Sequence, residues 1–385
     1  MKIKELKFND FHIVRSLFTK SEHLEFTIDA VIAGNSPMHI WVDETTAPKS
    51  AFLWDKSHCY YLVGETENSE FCEAITTLLY DTIMPDVIAR NHDIFKIEYF
   101  PNEWEPILEE ILREKCPIKA HRKFFILDRP LISQWKDIVP SDFSIQKIDR
   151  TLLESDIENV NTIIDEIKLC WQSVDDFLQK GFGFCLIHTL KERKEVQGWC
   201  TGEYFSEGKC GIGIETFQGY QKRGFGTAMA LAYVEHSLSV KIQPYWDVST
   251  NNDASIRVAK KVGFKKIQDY TVFLGSFTNI ESFQGNHYYQ EKDYEKAAKW
   301  YEKAAKSDQR KFYNYYNAAC SWALNGNIDS ALNNLNKSLD FMDKSLKQFI
   351  DRMKRDTDLV NLYGTKGWKN FLKRLNDIEK GTKQN

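Results

Sequence analysis

Short apolar runs and longer amphipathic stretches alternate along this 385-residue chain from its start to about position 280. Runs rich in aromatic and β-branched residues stand at 39–44 (HIWVDE), 59–65 (CYYLVGE), 94–100 (IFKIEYF), 123–128 (KFFILD), 183–190 (GFCLIHTL) and 242–249 (IQPYWDVS). Stretches with helical spacing lie between them, so the pattern predicts an α/β sheet protein. Past Glu281 the strand signal stops, and GNHYYQEKDYEKAAKWYEKAAKSD opens a wholly helical region. There Tyr294 and Ile328, Ala297 and Ala331, Tyr301 and Leu335, and Ala304 and Ser338 recur at one constant interval. A period of that length marks stacked helix pairs: the alanines let two helices approach, and Tyr301 or Leu335 fills the groove between them.

The α/β part of the chain also repeats itself, more faintly. Strand YYLVGE (60–65), helix FCEAITTLLYDTI, strand IFKIEYF, helix EWEPILEEIL and strand KFFILD are echoed later. The echo is strand GIGIET (211–216), a helix, strand PYWDV (244–248), a helix and strand YTVFLG (270–275). The interval from Ile97 to Phe125 matches that from Trp246 to Phe273 to within one position. The expected division is therefore 1–135, 136–280 and 281–385, with each α/β unit completing its own sheet.

Composition narrows the class. Hydrophobic residues at 42% and aromatics at 14% suffice for packed cores and exclude a disordered chain. Lys+Arg 51 against Asp+Glu 55 leaves a formal charge of −4, so no polycationic face for nucleic acid is expected. No apolar run approaches the roughly 18–20 residues of a membrane span, and MKIKELKFNDFHIV has no apolar core of a secretory signal. Eight cysteines without a CxxC pair point to reduced thiols and a cytoplasmic setting, and the His and Cys spacing suggests no metal.

The stretch that carries chemistry is GIGIETFQGYQKRGFGTAMALAYVEHSL. A strand with Ile212, Ile214 and Thr216 on one face runs into a turn holding Gln221, Arg223, Gly224 and Gly226, and a helix begins near Thr227. Glycines admit close approach of a ligand, and the first N–H groups of a helix are unpaired donors at a positive dipole end. Such a turn suits a phosphate or pyrophosphate. It is neither a Walker loop nor a dinucleotide fingerprint.

The Q-x-x-G-x-G spacing of Gln221, Gly224 and Gly226 resembles the pyrophosphate loop of the GNAT superfamily of acyl-CoA N-acyltransferases. Downstream, YWDVSTNNDASIRVAKKVGFKKIQDYTVF resembles that superfamily's next strand, its Asn-x-x-Ser turn (Asn252, Ser255) and its helix ending in Gly263 and Phe264. GIGIET, Pro244 with Trp246 and Asp247, and WQSVDDFLQKGFGFCLI are similar to acetyltransferases of the zwittermicin A resistance type. The helical tail resembles tetratricopeptide repeats, through Gly285, Tyr288, Tyr294, Ala297, Tyr301 and Ala304 and then Ala319, Trp322, Gly326, Ala331 and Leu335. These resemblances imply tandem GNAT-like units with mixed, largely antiparallel sheets and flanking helices, followed by an all-α domain. The first unit's equivalent loop, ETENSEF (65–71), has no glycine and is assigned no cofactor.

Carried over by position, the resemblance implies acetyl-CoA as co-substrate. The amides of 221–227 (Gln221, Lys222, Arg223, Gly224, Phe225, Gly226, Thr227) would hold the pyrophosphate, and Lys222 and Arg223 would also meet the ribose phosphate. The strand edge at Ile214, Thr216 and Phe217 would pair with pantetheine, with Asn252 hydrogen-bonding it from the turn that Ser255 closes. Acetyl transfer also requires a base, because a lysine-like amine with a pKa of ~10.4 is protonated at neutral pH. Asp247 is the first candidate, Glu215 the second and Glu203 the third. Many GNAT enzymes carry a Tyr where this chain has Ala259 to protonate the leaving thiolate; Tyr270, Tyr245 and Tyr233 are nearby in sequence. Trp171, Asp175, Asp176, Phe182 and Trp246 are the candidates for lining the acceptor site.

The expected function is thus acetyl transfer to a primary amine, preferably of a small molecule such as an antibiotic or metabolite. The alternatives are a protein Nα- or lysine acetyltransferase that captures its substrate on residues 285–340, and a non-catalytic acyl-CoA-binding adaptor. Neither nucleic acid nor membrane is an expected partner.

Overall fold

The computed structural model describes residues 3–131, 135–191, 193–206, 208–307, 311–342 and 348–381. The chain forms two compact units, one of Met1–Arg113 with Lys119–Leu274 and the other of Glu114–Ile118 with Gly275–Asn385.

In the first unit, the early half of the chain gives β1 (Lys4–Glu5), α1 (Glu22–Ile32), β2 (His39–Val42), β3 (Ser50–Trp54) and β4 (Cys59–Gly64). It continues with α2 (Ser69–Leu78), α3 (Met84–Ala89), β5 (Ile94–Phe100), α4 (Trp104–Ile111) and β6 (Ile118–Leu127). The later half gives β7 (Phe143–Lys147), α5 (Arg150–Leu153), α6 (Val160–Cys170), α7 (Val174–Lys180), β8 (Gly183–Leu190) and β9 (Arg193–Ser206). Then come β10 (Lys209–Thr216), α8 (Phe225–Ser239), β11 (Gln243–Ser249), α9 (Asp253–Val262) and β12 (Phe264–Ser276).

Local chemistry accounts for the two helices nearest the site. α8 is apolar on every side, with Ala228 to Val234 all buried, as expected of a helix enclosed by its surroundings. α9 is amphipathic: Ile256, Ala259 and Val262 face inward, and Asn252 caps it by accepting the Ser255 N–H at 3.0 Å.

Among the described residues, the twelve strands share one sheet in the order β1-β2-β3-β4-β5-β12-β6-β11-β10-β9-β8-β7. This corrects the expectation that each α/β unit closes its own sheet. The last strand of each half is given to the other: β12 lies beside β5, and β6 pairs antiparallel with β11 from Tyr245↔Ile126 to Ser249↔Arg122. Without their exchanged partners β5 and β11 would each present an open edge, and the exchange closes both into a continuous ladder.

The halves differ at one corresponding place. β4 and β5 run parallel and stay paired over five positions, Cys59↔Lys96 to Val63↔Phe100. β10 and β11 pair only at Lys209↔Gln243 and Cys210↔Pro244, and then part.

The second unit is helical: α10 (Ile280–Gln290), α11 (Tyr294–Ser307), α12 (Lys311–Leu324), α13 (Ile328–Asp340), α14 (Gln348–Arg355) and α15 (Lys366–Gly381). α11 and α13 begin at Tyr294 and Ile328, the positions matched by the sequence period. Ala297, Tyr301 and Ala318 form one buried cluster, and Ala331, Leu335 and Trp322 belong to another. Glu302 ties α12 to α13 by accepting from Trp322 Nε1 at 2.9 Å and Asn334 Nδ2 at 2.6 Å. Among the described residues no helix is long and apolar enough to cross a membrane.

Candidate active site

Where β10 leaves β11, the chain builds the turn picked out by sequence. Gln221 donates its side-chain amide to the Thr216 carbonyl at 3.0 Å, tying the turn to the strand end. Lys222 and Gly224 have positive φ, 61° and 89°, and α8 starts directly after them. A side chain at Gly224 would adopt a disfavoured conformation and meet Ile138 at 2.9 Å, so glycine is the residue that fits. The first-turn N–H groups of α8, including Phe225, Gly226 and Thr227, have no carbonyl within the helix to bond. This N–H-rich turn beside parted strands suits a phosphate-bearing ligand with an extended arm. The Arg223 guanidinium lies over the rings of Phe143 and Phe225, 5.0 and 4.9 Å from their centroids, so its charge rests on aromatic faces. In the early half the equivalent place is filled: Trp104, 0% exposed, donates its indole N–H to the Gly64 carbonyl at 3.1 Å.

A cavity of about 490 Å³ is lined by residues around the parted strands, among them Gly213, Ile214, Asp247, Asn252 and Ser255. Both halves build it. α1 contributes His23 and Phe26, β5 Lys96 and Glu98, and β6 Arg122 and Phe124; α6 adds Glu166, β9 Glu203 and Tyr204, and β11 Tyr245 and Asp247.

Period-two alternation on β11 turns Tyr245, Asp247 and Ser249 to one face, while Trp246 and Val248 enter the core. Asp247 is clamped there by Arg122 from the exchanged strand. Nε donates to Oδ1 at 3.1 Å and Oδ2 at 3.0 Å, and an Nη donates to Oδ2 at 2.8 Å. Burial alone would raise the carboxyl's pKa, but the Arg122 and Lys96 charges and the bonds from Arg122 and Tyr270 outweigh it and hold the group below its ordinary value. A carboxylate so engaged is a weak proton acceptor.

Glu203 is in the opposite condition. Burial first, then the charge of Glu166 and a hydrogen bond to it, push the Glu203 carboxyl up to about 8. Glu166 is also raised, chiefly by burial, and it receives that hydrogen bond. The two acids share one proton. Their placement depends on Gly213, which lies one strand over: a β-carbon there would stand 1.9 Å from Glu203 Oε1 and 3.3 Å from Glu166 Oε1.

The other acceptor-side candidates are placed differently from the sequence expectation. Trp171 and Phe182 are 2% and 5% exposed and belong to the core; the Trp171 indole donates to the Gly202 carbonyl at 2.9 Å. Asp175 is exposed and accepts from Arg150 at 2.6 Å, and Asp176 accepts from Ser173 Oγ at 2.8 Å. None of these four lines the cavity. Trp246 borders it but is 1% exposed, its indole donating to Ser255 Oγ at 3.0 Å. Glu215 is exposed at the outer end of β10, and its charge raises Glu166. Ala259 is wholly buried on α9, Tyr270 hydrogen-bonds Asp247, and the Tyr233 hydroxyl is 3.1 Å from Cys210 Sγ.

Sequence reasoning passed over His23, Lys96, Glu98, Arg122 and Glu166. One signal was available: IFKIEYF carries Lys96 and Glu98 at alternate positions of an otherwise apolar strand, which puts both charges on one face.

The GNAT acetyltransferase family model matches residues 15–273. The uncharacterized N-acetyltransferase YdfB of Bacillus subtilis is 22% identical over 271 residues, covering 70% of this chain and 98% of that protein. A GCN5-related N-acetyltransferase-like protein from Streptococcus suis superposes with a TM-score of 0.51 at 18% identity, covering 69% of this chain and 97% of its own. A GCN5-related N-acetyltransferase from Sphaerobacter thermophilus does so with a TM-score of 0.45 at 10% identity, covering 71% and 95%. With its parted strands, its glycine turn at the start of α8 and a family match over most of the sheet unit, the chain belongs to the GNAT acetyltransferase family and is an N-acetyltransferase.

Proposed function

We propose that this enzyme transfers acetyl from acetyl-CoA to a primary amine of a small molecule, at one site between β10 and β11. The observation that carries the reading is the Glu203–Glu166 acid pair lining the same cavity as the parted strands. The turn from Gln221 to Thr227 would hold the pyrophosphate, and Ile214, Thr216 and Phe217 with Asn252 the pantetheine arm; Ser255 keeps Asn252 in place. When bound, acetyl-CoA supplies the reactive thioester.

The residues of this chain do the rest. The acid pair receives the proton that the incoming ammonium must lose. The amine nitrogen then bonds the acetyl carbon, the carbon–sulfur bond breaks with its electron pair left on sulfur, and the second proton shed by the nitrogen ends, by way of water, on that thiolate. A thiol of ordinary pKa ~8.5 leaves as thiolate, so Ala259 in place of a tyrosine is compatible with turnover. Arg122 and Asp247 brace the floor of the cavity rather than move the proton. Glu215 at the outer end of β10 adds negative charge that attracts a cation.

Cavity walls from both halves of the chain favour a small acceptor over a folded protein. The sequence features shared with zwittermicin A resistance-type acetyltransferases fit that preference, and the period kept by α11 and α13 supports a tetratricopeptide-like tail.

The test is thiol release from acetyl-CoA against a panel of amines, with Glu203→Gln and Asp247→Asn compared. The first should lose about 10²–10⁴-fold in turnover, the scale of a lost general base. The second should show its main effect in thermal stability. Turnover lost in Asp247→Asn and kept in Glu203→Gln would reverse the assignment.

A further inference from the structure

His23 presents a buried nitrogen that acetyl transfer at Glu203 does not use. The residue sits on α1 and lines the cavity at 3% exposure, with its ring stacked on Tyr270 at 3.7 Å between centroids. Nδ1 is anchored, 3.0 Å from Ser21 Oγ and 3.3 Å from Gln268 Oε1. With the Gln268 amide oxygen as acceptor, Nδ1 is assigned the proton and Nε2 the lone pair. Nε2 is buried with no hydrogen-bond partner. Burial lowers the pKa of the ring and keeps it neutral; the charges that act on it are the carboxylates of Glu98 and Asp247, opposed by Lys96. A buried acceptor without a partner costs stability unless something fills it, and what fits is a hydrogen-bond donor.

Two further features narrow the donor. The carboxyl groups lining the cavity are Asp55, Glu98, Glu166, Glu203 and Asp247, against the cations Lys96 and Arg122. Lys96 takes Glu98 Oε1 at 2.7 Å and Arg122 takes Asp247, so acid remains in excess even with one proton shared by Glu166 and Glu203. The second feature is apolar. Phe26, Phe124 and Tyr245 stack mutually, with centroids 5.3 to 5.6 Å apart, and offer ring surface to methylene groups.

We propose that the acceptor is a small aliphatic diamine: one amine is acetylated beside Glu203, and the second, as ammonium, is held by His23 Nε2 and Glu98. The spacer lies against the Phe26, Phe124 and Tyr245 rings. This assigns the early half of the chain a binding subsite of its own. It rests on the acetyl-acceptor reading of the cavity.

Thiol release from acetyl-CoA is measured with cadaverine, pentylamine and aminopentanol, which share a five-carbon chain. Cadaverine should exceed both others in kcat/KM by about tenfold or more, the scale of one charge-assisted hydrogen bond. His23→Phe keeps a ring on Tyr270 and removes the acceptor nitrogen, and in that variant the preference should fall several-fold, leaving only what Glu98 contributes. Equal use of cadaverine and pentylamine by the wild-type enzyme overturns the inference while leaving amine acetylation intact. So does aminopentanol matching cadaverine, or a preference undiminished in folded His23→Phe. If no amine is acetylated, the reading of function fails by itself. Calorimetry on the wild-type protein with CoA then decides the subsite: tighter binding of cadaverine than pentylamine supports it, and equal or absent binding overturns it.

Discussion

Glu203 keeps, in the folded protein, a proton that an exposed glutamate would have released well below neutrality. Burial and the neighbouring Glu166 charge move its pKa from the ordinary 4.5 to about 8. Activity should therefore climb with pH towards about 8, as the pair sheds its shared proton and becomes free to accept one from the substrate. Turnover at saturating amine, followed across that range, checks this. Stability should move the other way. The folded state holds a proton that the unfolded chain has lost, so this group's contribution is complete below about pH 4.5 and declines as pH rises through about 8. Glu203→Gln, which mimics the protonated form, should thus melt higher than wild type at about pH 9 and near wild type at about pH 4.5, even as it loses activity. Gly213→Ala tests the same pair from outside, because its methyl group would stand where Glu203 Oε1 lies. The expected result is a large loss of turnover with near-unchanged CoA affinity by calorimetry. None of this pairing was visible in the sequence. Glu166 and Glu203 meet only when α6 packs beside β9, and the glycine-containing run of β9, RKEVQGWCTGEYFS, lacks a clean strand alternation. The Arg122–Asp247 ion pair was equally hidden, since Arg122 reaches Asp247 from a strand of the other half.

Elements whose chemistry is local were the most legible. Strand, glycine turn and helix from Lys209 to Ser239 are contiguous, and the sequence marks each boundary by its own residues. The decisive property of that element is a separation: β10 and β11 stop pairing after Cys210 and Pro244, whereas β4 and β5 stay zipped and Trp104 covers the end. On the proposed function, two similar strand–helix–strand segments thereby offer one cofactor site between them. Gly224→Glu should abolish CoA binding, since a carboxylate would stand at the first N–H groups of α8 and the φ of 89° strains any side chain. Calorimetric titration of the folded variant measures it, and wild-type affinity would remove the turn from the cofactor site. Mutating the early turn at 65–71 should leave CoA affinity unaltered. How far two strands diverge is set by the side chains packed around them, so the parting of β10 from β11 was not legible, although the glycine-free loop at 65–71 already set the early unit apart.

For the molecule as a whole, the sheet is complete by Ser276, and the cofactor turn and cavity lie in the sheet unit. A chain ending at Ser276 should bind CoA within a few-fold of the full protein by calorimetry. It loses Gln284, whose amide donates to the Cys116 carbonyl at 2.6 Å within the helical unit, so lower solubility is expected as well. Helical periodicity foretold that tail, because repeat helices contact mainly their neighbours in sequence. The exchange of β6 and β12 was not foretold, since the apolar pattern of a strand does not say which neighbour it pairs with. It also sets an order of events during synthesis. When the ribosome has just passed Leu127, β5 and β6 are both present, yet the strand that belongs between them, Phe264–Ser276, is still far downstream in the message. The nascent early half must hold two strand edges apart, or let them pair wrongly and separate again, until β12 emerges. Pauses in translation before β12 should accordingly expose this protein to chaperones and to aggregation more than pauses after it.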